Sequence, residues 1–159
     1  MPQKISFKNV GKTLEEIRVE LNQTSGSLNP VGIKTPLRQG NISHGIFEMN
    51  FTLENQIHDN LKNLILTNHG ERLGLFDFGA NLRPLMSELN SKEDFDVEAV
   101  SKIRIAVSKW MSFVSLDTFE SSIDRFNNKH VGKIMLKIVY GVPILGINDK
   151  ELNIIFNVM

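Results

Sequence analysis

The sequence contains no cysteine. Disulfides and thiolate metal sites are therefore excluded, which suits the cytosol or a particle assembled there. Polar aromatics are scarce, with one Trp and one Tyr against ten Phe. That balance points to core packing rather than to a sugar-binding aromatic surface. Neither sign of charge dominates, since 18 Lys+Arg face 18 Asp+Glu. Nothing draws the chain toward nucleic acid or an anionic membrane. No apolar run approaches the roughly 18 residues of a membrane span. Met1-Pro2-Gln3-Lys4 is not followed by an apolar signal segment. Internal repeats and low-complexity tracts are also missing.

What is present suffices for one domain. A chain of about 150 residues buries roughly 70% of its unfolded surface, and this one has 159, with 41% hydrophobic and 23% charged residues. The most informative stretch runs from Leu53 to Leu82. Leu53, Ile57, Leu61, Leu64 and Ile65 recur at the helical period and predict one apolar face. Glu54, Asn55, His58, Asp59, Lys62 and Asn63 fall on the other. The spacing predicts a helix over about Leu53–Asn68, capped by Thr52 and closed by Gly70 in the left-handed conformation. A loop follows in which Phe76 and Phe78 are expected to pin to the core, and Gly79 to allow a close backbone approach. Asn81 is expected to cap a short helix over about Leu82–Leu89, with Pro84 in its first turn.

Thr67-x-x-Gly70-Glu71-Arg72 followed by Phe78-Gly79-x-x-Leu82 resembles the baseplate wedge proteins of contractile-tailed phages, a family traditionally called lysozyme-like, whose members form the sheath initiator. The resemblance covers roughly Phe51 to Met159. It implies a structural protein of the tail baseplate in the virion, assembled in the host cytoplasm. The implied partners are other wedge proteins, the tail sheath protein, and tail tube or hub proteins. Many members end their next long helix with a Glu-Pro-Arg triplet. This chain has Trp110-Met111-Ser112-Phe113 there, so no role tied to that triplet transfers.

Residues 1–45 read as an extended arm with one short helix, and 46–159 as the core domain. In the arm, Thr13 and Glu16 fit a capping box, and Leu14, Ile17 and Leu21 form an apolar stripe over two turns. A helix that short needs a partner surface. Gln23–Ser27 is a flexible linker, and Ile33–Leu37 is extended because Pro36 disfavours helix at Thr35. Gly45–Phe51 alternates and predicts a short strand with Phe47, Met49 and Phe51 on one face. Ser91–Asp94 reads as a connection, and Asp96 as the N-cap of a second long helix. Its stripe would be Val97, Val100, Ile103, Val107, Trp110 and Met111. Three strands follow. Phe113–Glu120 has Val114, Leu116 and Thr118 on one face and Phe113 and Phe119 on the other. Lys133–Val142 has Ile134, Leu136, Ile138 and Tyr140 inward. The last has Leu152, Ile154, Phe156 and Val158 inward. Turns are expected at Asn127–His130 and Asn148–Asp149. The class is α+β: two main helices and a short one packed on a small antiparallel sheet, a three-stranded meander with room for an extra strand.

Catalytic chemistry finds little purchase. Glycoside hydrolysis needs two carboxyl groups about 5–9.5 Å apart, and Glu71, Asp77 and Glu48 are the candidates. The polar, aromatic-rich cleft of a glycan site is absent, and Glu71 stands beside Arg72 as a structural pair would. Arg72 is expected to bond backbone carbonyls or a carboxylate such as Glu71 or Asp77. His44, His58, His69 and His130 offer no His-x-x-x-His pair, and His58 and His69 would lie roughly 16 Å apart on one helix axis. No Gly-x-Ser-x-Gly or phosphate loop occurs. The expectation is therefore a non-enzyme without cofactor or metal, binding neither nucleic acid nor membrane. Thr67, Gly70, Glu71, Arg72, Phe78, Gly79 and Leu82 form its structural motif. Leu14, Ile17 and Leu21 of the arm and Leu152, Asn153, Ile154, Ile155 and Phe156 of the last strand are expected to bind partners, the strand by pairing with a sheath strand. Two other functions fit the same residues less well: a peptidoglycan-degrading hydrolase of the tail, and a protein-binding regulatory adaptor with this fold.

Overall fold

The computed structural model describes residues 15–16, 29–40, 46–87, 92–126 and 130–157. Leu14, Ile17, Leu21, the linker at 23–27, Val158 and most of the turn at 127–130 lie outside the described residues. The chain divides into two compact units, Met1–Gln56 and Ile57–Met159.

In the first unit, β1 (Gly32–Ile33) pairs antiparallel with β2 (Met49–Asn50). Gln39 bridges Phe47, and Glu48 N–H donates to the Arg38 carbonyl at 3.0 Å. The strand expected over Gly45–Phe51 is thus only two residues long in the ladder. Asn50 is the buried residue and Phe47 is exposed. The reason is a polar tie: Asn50 Nδ2 donates to Gln56 Oε1 at 3.2 Å, which satisfies an amide that burial would otherwise penalise.

Helix α1 spans Leu53–Leu66. Thr52 caps it as the sequence suggests, its Oγ1 accepting from Asn55 N–H at 3.3 Å. Ile57, Leu61, Leu64 and Ile65 are buried, while Leu53 is exposed. The helix stops before Asn68, and at its end Thr67 donates both its N–H, at 3.0 Å, and its hydroxyl, at 2.6 Å, to the Asn63 carbonyl.

The second unit continues with α2 (Arg83–Ser87), α3 (Lys92–Trp110), β3 (Ser115–Phe126), β4 (His130–Val142), a 3₁₀ turn (Pro143–Leu145) and β5 (Ile147–Asn157). The three long strands form an antiparallel meander with β4 in the centre and β3 and β5 outside. Ile134, Leu136, Ile138 and Tyr140 of β4, with Leu152 and Ile154 of β5, make the sheet's share of the core. Phe95, Ala99, Ile103, Ala106 and Val107 make that of α3. The fold is α+β, with helices and antiparallel strands sharing this core.

Four expectations are corrected here. Helix α3 begins at Lys92, so Asp96 is not its cap. Asp96 lies inside the helix and accepts a hydrogen bond from Ser121 Oγ on β3. The buried stripe accordingly starts at Phe95 and runs through Ala99, leaving Val97 71% exposed. In β3 a register shift between Leu116 and Thr118 inserts one residue opposite β4. A one-residue bulge inverts the alternation beyond it, so Phe119 and Ile123 join Leu116 against the core, and Thr118 faces out. Finally, Asn148–Asp149 is not the turn. The chain reverses at Pro143–Gly146, where Gly146 is left-handed and its N–H donates to the Pro143 carbonyl at 3.1 Å. Asp149, at φ 54°, sits instead at the register shift facing Tyr140–Val142. Asp tolerates that conformation better than most residues.

Candidate functional site

The loop from Thr67 to Leu82 closes on its own stem. Ala80 N–H donates to the Leu64 carbonyl at 3.0 Å, and Asn81 N–H to that of Thr67 at 3.3 Å. Gly79 makes this possible. Its φ is +112°, and a Cβ there would lie 2.1 Å from the Thr67 carbonyl oxygen. Gly70, at φ +85°, does not close α1. It is the third residue of the turn Asn68–Glu71, in which Glu71 N–H donates to the Asn68 carbonyl at 3.2 Å, and its own N–H donates to the Phe76 carbonyl at 2.7 Å. A positive φ at the third place of such a turn selects glycine. Leu82 is buried in the core.

Glu71 is held by Asn68. The Asn68 backbone N–H donates to Oε2 at 2.8 Å and its Nδ2 to Oε1 at 2.9 Å. The same Asn68 accepts from Arg83 N–H through Oδ1 at 3.1 Å, so it caps α2 in place of Asn81, whose φ of 51° carries the chain through the bend before Leu82. Arg83 also stands 3.7 Å from Glu71. The two Asn68 bonds, with Arg83 as a lesser contributor, hold the Glu71 carboxyl below the ordinary carboxylate range. Asp77 is likewise lowered, chiefly by its hydrogen bond from Lys109 of α3.

Arg72 does not bond Glu71 or Asp77. Its guanidinium lies 4.3 Å from the centre of the Phe78 ring, a cation–π contact. Phe78 in turn meets Trp110 edge-on, with ring centres 5.2 Å apart. Phe76 is not a core anchor; it is 68% exposed, and only its backbone carbonyl is held, by Gly70 N–H. His69 Nε2 reaches the Gly79 carbonyl at 3.2 Å. The motif therefore gathers Thr67, Gly70, Glu71, Arg72, Phe78, Gly79 and Leu82 into one braced loop. Asn68, His69, Lys109 and Trp110 share the work. An Asn two residues before a Gly was the visible signal for the first; the others depend on contacts far apart in sequence.

Of the hydrolase candidates, Glu48 lies in the first unit, paired with Lys34 at 2.6 Å. Glu71 and Asp77 are each occupied by hydrogen-bond donors. A general acid needs a carboxyl held protonated near neutral pH, and the donors around these two favour the ionised form. His58, half-buried, has Nδ1 2.9 Å from the hydroxyl of Tyr140. Among the described residues, no group of His, Asp and Glu is placed to hold a metal ion, and no helix is long and apolar enough to cross a membrane.

One consequence is measurable. A carboxylate lowered by native hydrogen bonds adds stability that is fully present above the ordinary carboxylate range and lost as pH falls through its lowered value. Asn68→Ala removes the side-chain bond to Glu71 and the α2 cap, while the backbone N–H bond to Glu71 remains. It is expected to cost about 1 kcal/mol near neutral pH, as for other caps. It should also flatten part of the acid limb of the pH–stability curve and return the Glu71 midpoint toward the ordinary range in a carboxyl NMR titration.

The other predicted site residues lie on β5. Leu152 and Ile154 are buried, Phe156 is half-buried against the core, and Asn153 and Ile155 are exposed on the opposite face. Ile155 lies opposite Met135.

No protein-family profile matches the sequence, and no curated protein matches it. Solved structures do. A candidate tail lysozyme from Geobacter sulfurreducens superposes with a TM-score of 0.52 at 20% identity, covering 68% of this chain and 93% of its own. A chain of the anti-feeding prophage baseplate superposes with a TM-score of 0.57 at 13% identity, covering 78% of this chain and 90% of its own. At these identities the shared property is the fold.

Proposed function

We propose that the chain is a structural component of a contractile-tail baseplate, a wedge protein that starts sheath assembly. It docks on neighbouring wedge proteins, and β5 receives a strand of the first sheath ring. The observation that carries this reading is that, among the described residues of the meander, the outer edge of β5 has no partner strand, in a fold shared with a baseplate protein. Within the meander β5 pairs only with β4, and from Leu152 to Asn157 it has neither charge nor proline. Proteins normally blunt such an edge, and strand addition is the usual use of one left open. Residues 1–45 serve as an arm, with Leu14, Ile17 and Leu21 ordering against partner subunits and the cost of ordering met on binding. The protein resides in the virion tail.

The hydrolase reading has one observation behind it, the fold shared with a candidate tail lysozyme. The environments of Glu71 and Asp77 oppose it. The purified protein is expected not to clear cell-wall suspensions. Clearing that Glu71→Gln abolished with the fold intact would replace the structural reading by the enzymatic one.

A further inference from the structure

Helix α3 lays one face on the core and leaves the opposite one in water. On that outer stripe Val97 is 71% exposed and Ile105 64%, with Glu98, Ser101, Arg104 and Ser108 exposed beside them. These positions fall on one side of the helix, with Ser101 at the centre. Charge along the stripe is segregated. Glu93, Asp94 and Glu98 occupy its N-terminal half, Arg104 and Lys109 its C-terminal half. The helix dipole accounts for acids in the first turn and a base in the last, but its influence fades within one turn. It does not account for Glu98 and Arg104, which lie further in, or for two large apolar side chains left in water. Lys109 is already held by Asp77. Among the described residues neither Glu98 nor Arg104 forms an ion pair, although Asp117 of β3 lines a cleft beside Arg104.

We infer that α3 pairs with α3 of a second copy of this chain, antiparallel, about a two-fold axis at Ser101. Such a pair sets each residue level with the one equally far from Ser101 on the other side. Val97 comes level with Ile105 of the second copy, Glu98 with its Arg104, Glu93 with its Lys109, and Asp94 with its Ser108. No two like charges on the stripe come level. Because the contact is isologous, each pair occurs twice, and four apolar side chains leave water together. Ser101 is small and lies on the axis, where helices packed about 8–10 Å apart approach most closely. A parallel pair would set Glu98 against Glu98 and Arg104 against Arg104. Sliding one helix by a turn would separate Val97 from Ile105. One helix face is small beside the roughly 1,600 Å² of a standard interface, so the dimer is expected to be weak and to form at high micromolar concentration. The pairing needs no assembly partner, so it stands apart from the baseplate reading.

The test is sedimentation equilibrium of the full chain from micromolar to millimolar concentration. The parent is expected to pass reversibly from monomer to dimer. Glu98→Arg and Arg104→Glu, each alone, set like charges level and should weaken the dimer at least tenfold. An equimolar mixture of the two variants should regain it, because the exchanged charges again meet opposite signs across the axis. Both positions are exposed, so the variants should melt as the parent does. Asn153→Lys combined with Asn157→Lys alters the β5 edge alone and should leave the dimer unchanged. A parent that stays monomeric throughout, a dimer that Glu98→Arg does not weaken, a mixture that stays monomeric, or a dimer lost in the β5 double variant would each overturn the inference.

Discussion

Gly79→Ala is expected to lower stability by about 3 kcal/mol, through steric strain at a special backbone position. Two effects add. At φ +112° an L side chain is strained whatever space surrounds it, and here the added methyl carbon would lie 2.1 Å from the Thr67 carbonyl oxygen and 2.7 Å from its carbon. Those are backbone atoms at the end of α1, so no flexible side chain can move aside. Relief requires opening the loop, which breaks the bonds from Ala80 to Leu64 and from Asn81 to Thr67. Gly70→Ala provides the control. Gly70 is also left-handed, but nothing lies within 4 Å of its added methyl, so it should cost only about 1 kcal/mol. Chemical denaturation of the three proteins checks the ranking. Equal losses would mean that backbone conformation alone, and not the approach to Thr67, explains Gly79.

The largest functional effect is expected at β5. Asn153→Lys combined with Asn157→Lys should reduce recruitment of tail sheath protein at least tenfold while leaving the melting temperature within the range of ordinary surface changes. Both residues are exposed, so the core does not feel them. Lysines on an edge are a common device against strand pairing. The other outer strand shows what a guarded edge looks like. β3 carries Asp117, Glu120 and Asp124, all exposed, and its ladder is shifted at Leu116/Thr118 and again at Asp124/Arg125. β5 keeps its exposed charges, Asp149, Lys150 and Glu151, and its single irregularity in its first half, which leaves Leu152–Asn157 without either. Sheath sedimentation with the double variant reads the effect. Recruitment equal to the parent's would remove β5 as the receiving edge.

The helices and strands that the sequence displays plainly are those whose apolar residues keep one period without interruption. α1 repeats Ile57, Leu61, Leu64 and Ile65, and β4 alternates Ile134 through Tyr140, and both bury those residues. Legibility fails where one backbone residue changes the count. The bulge in β3 moves Phe119 to the core side, and nothing in the local composition marks it. It fails too where small residues carry the buried face. Ala99 and Ala106 of α3 say less than Val97, which is exposed. Polar starts mislead for a related reason, since Lys92–Asp94 reads as a connection although it forms the first turn of α3. In the loop, the glycines and Phe78 announce themselves. The partners that brace it do not, because Asn68 reaches Arg83 and Lys109 reaches Asp77 across 15 and 32 residues.

The measurement that bears most directly on the proposed function is amide hydrogen exchange of the chain with and without tail sheath protein. An added strand protects the N–H groups that point away from β4, and these belong to alternate residues. Within Leu152–Asn157 every second amide is therefore expected to slow markedly when sheath protein binds, while amides already bonded to β4 change little. Sheath protein that binds without slowing any amide of β5, or that does not bind at all, would contradict the account.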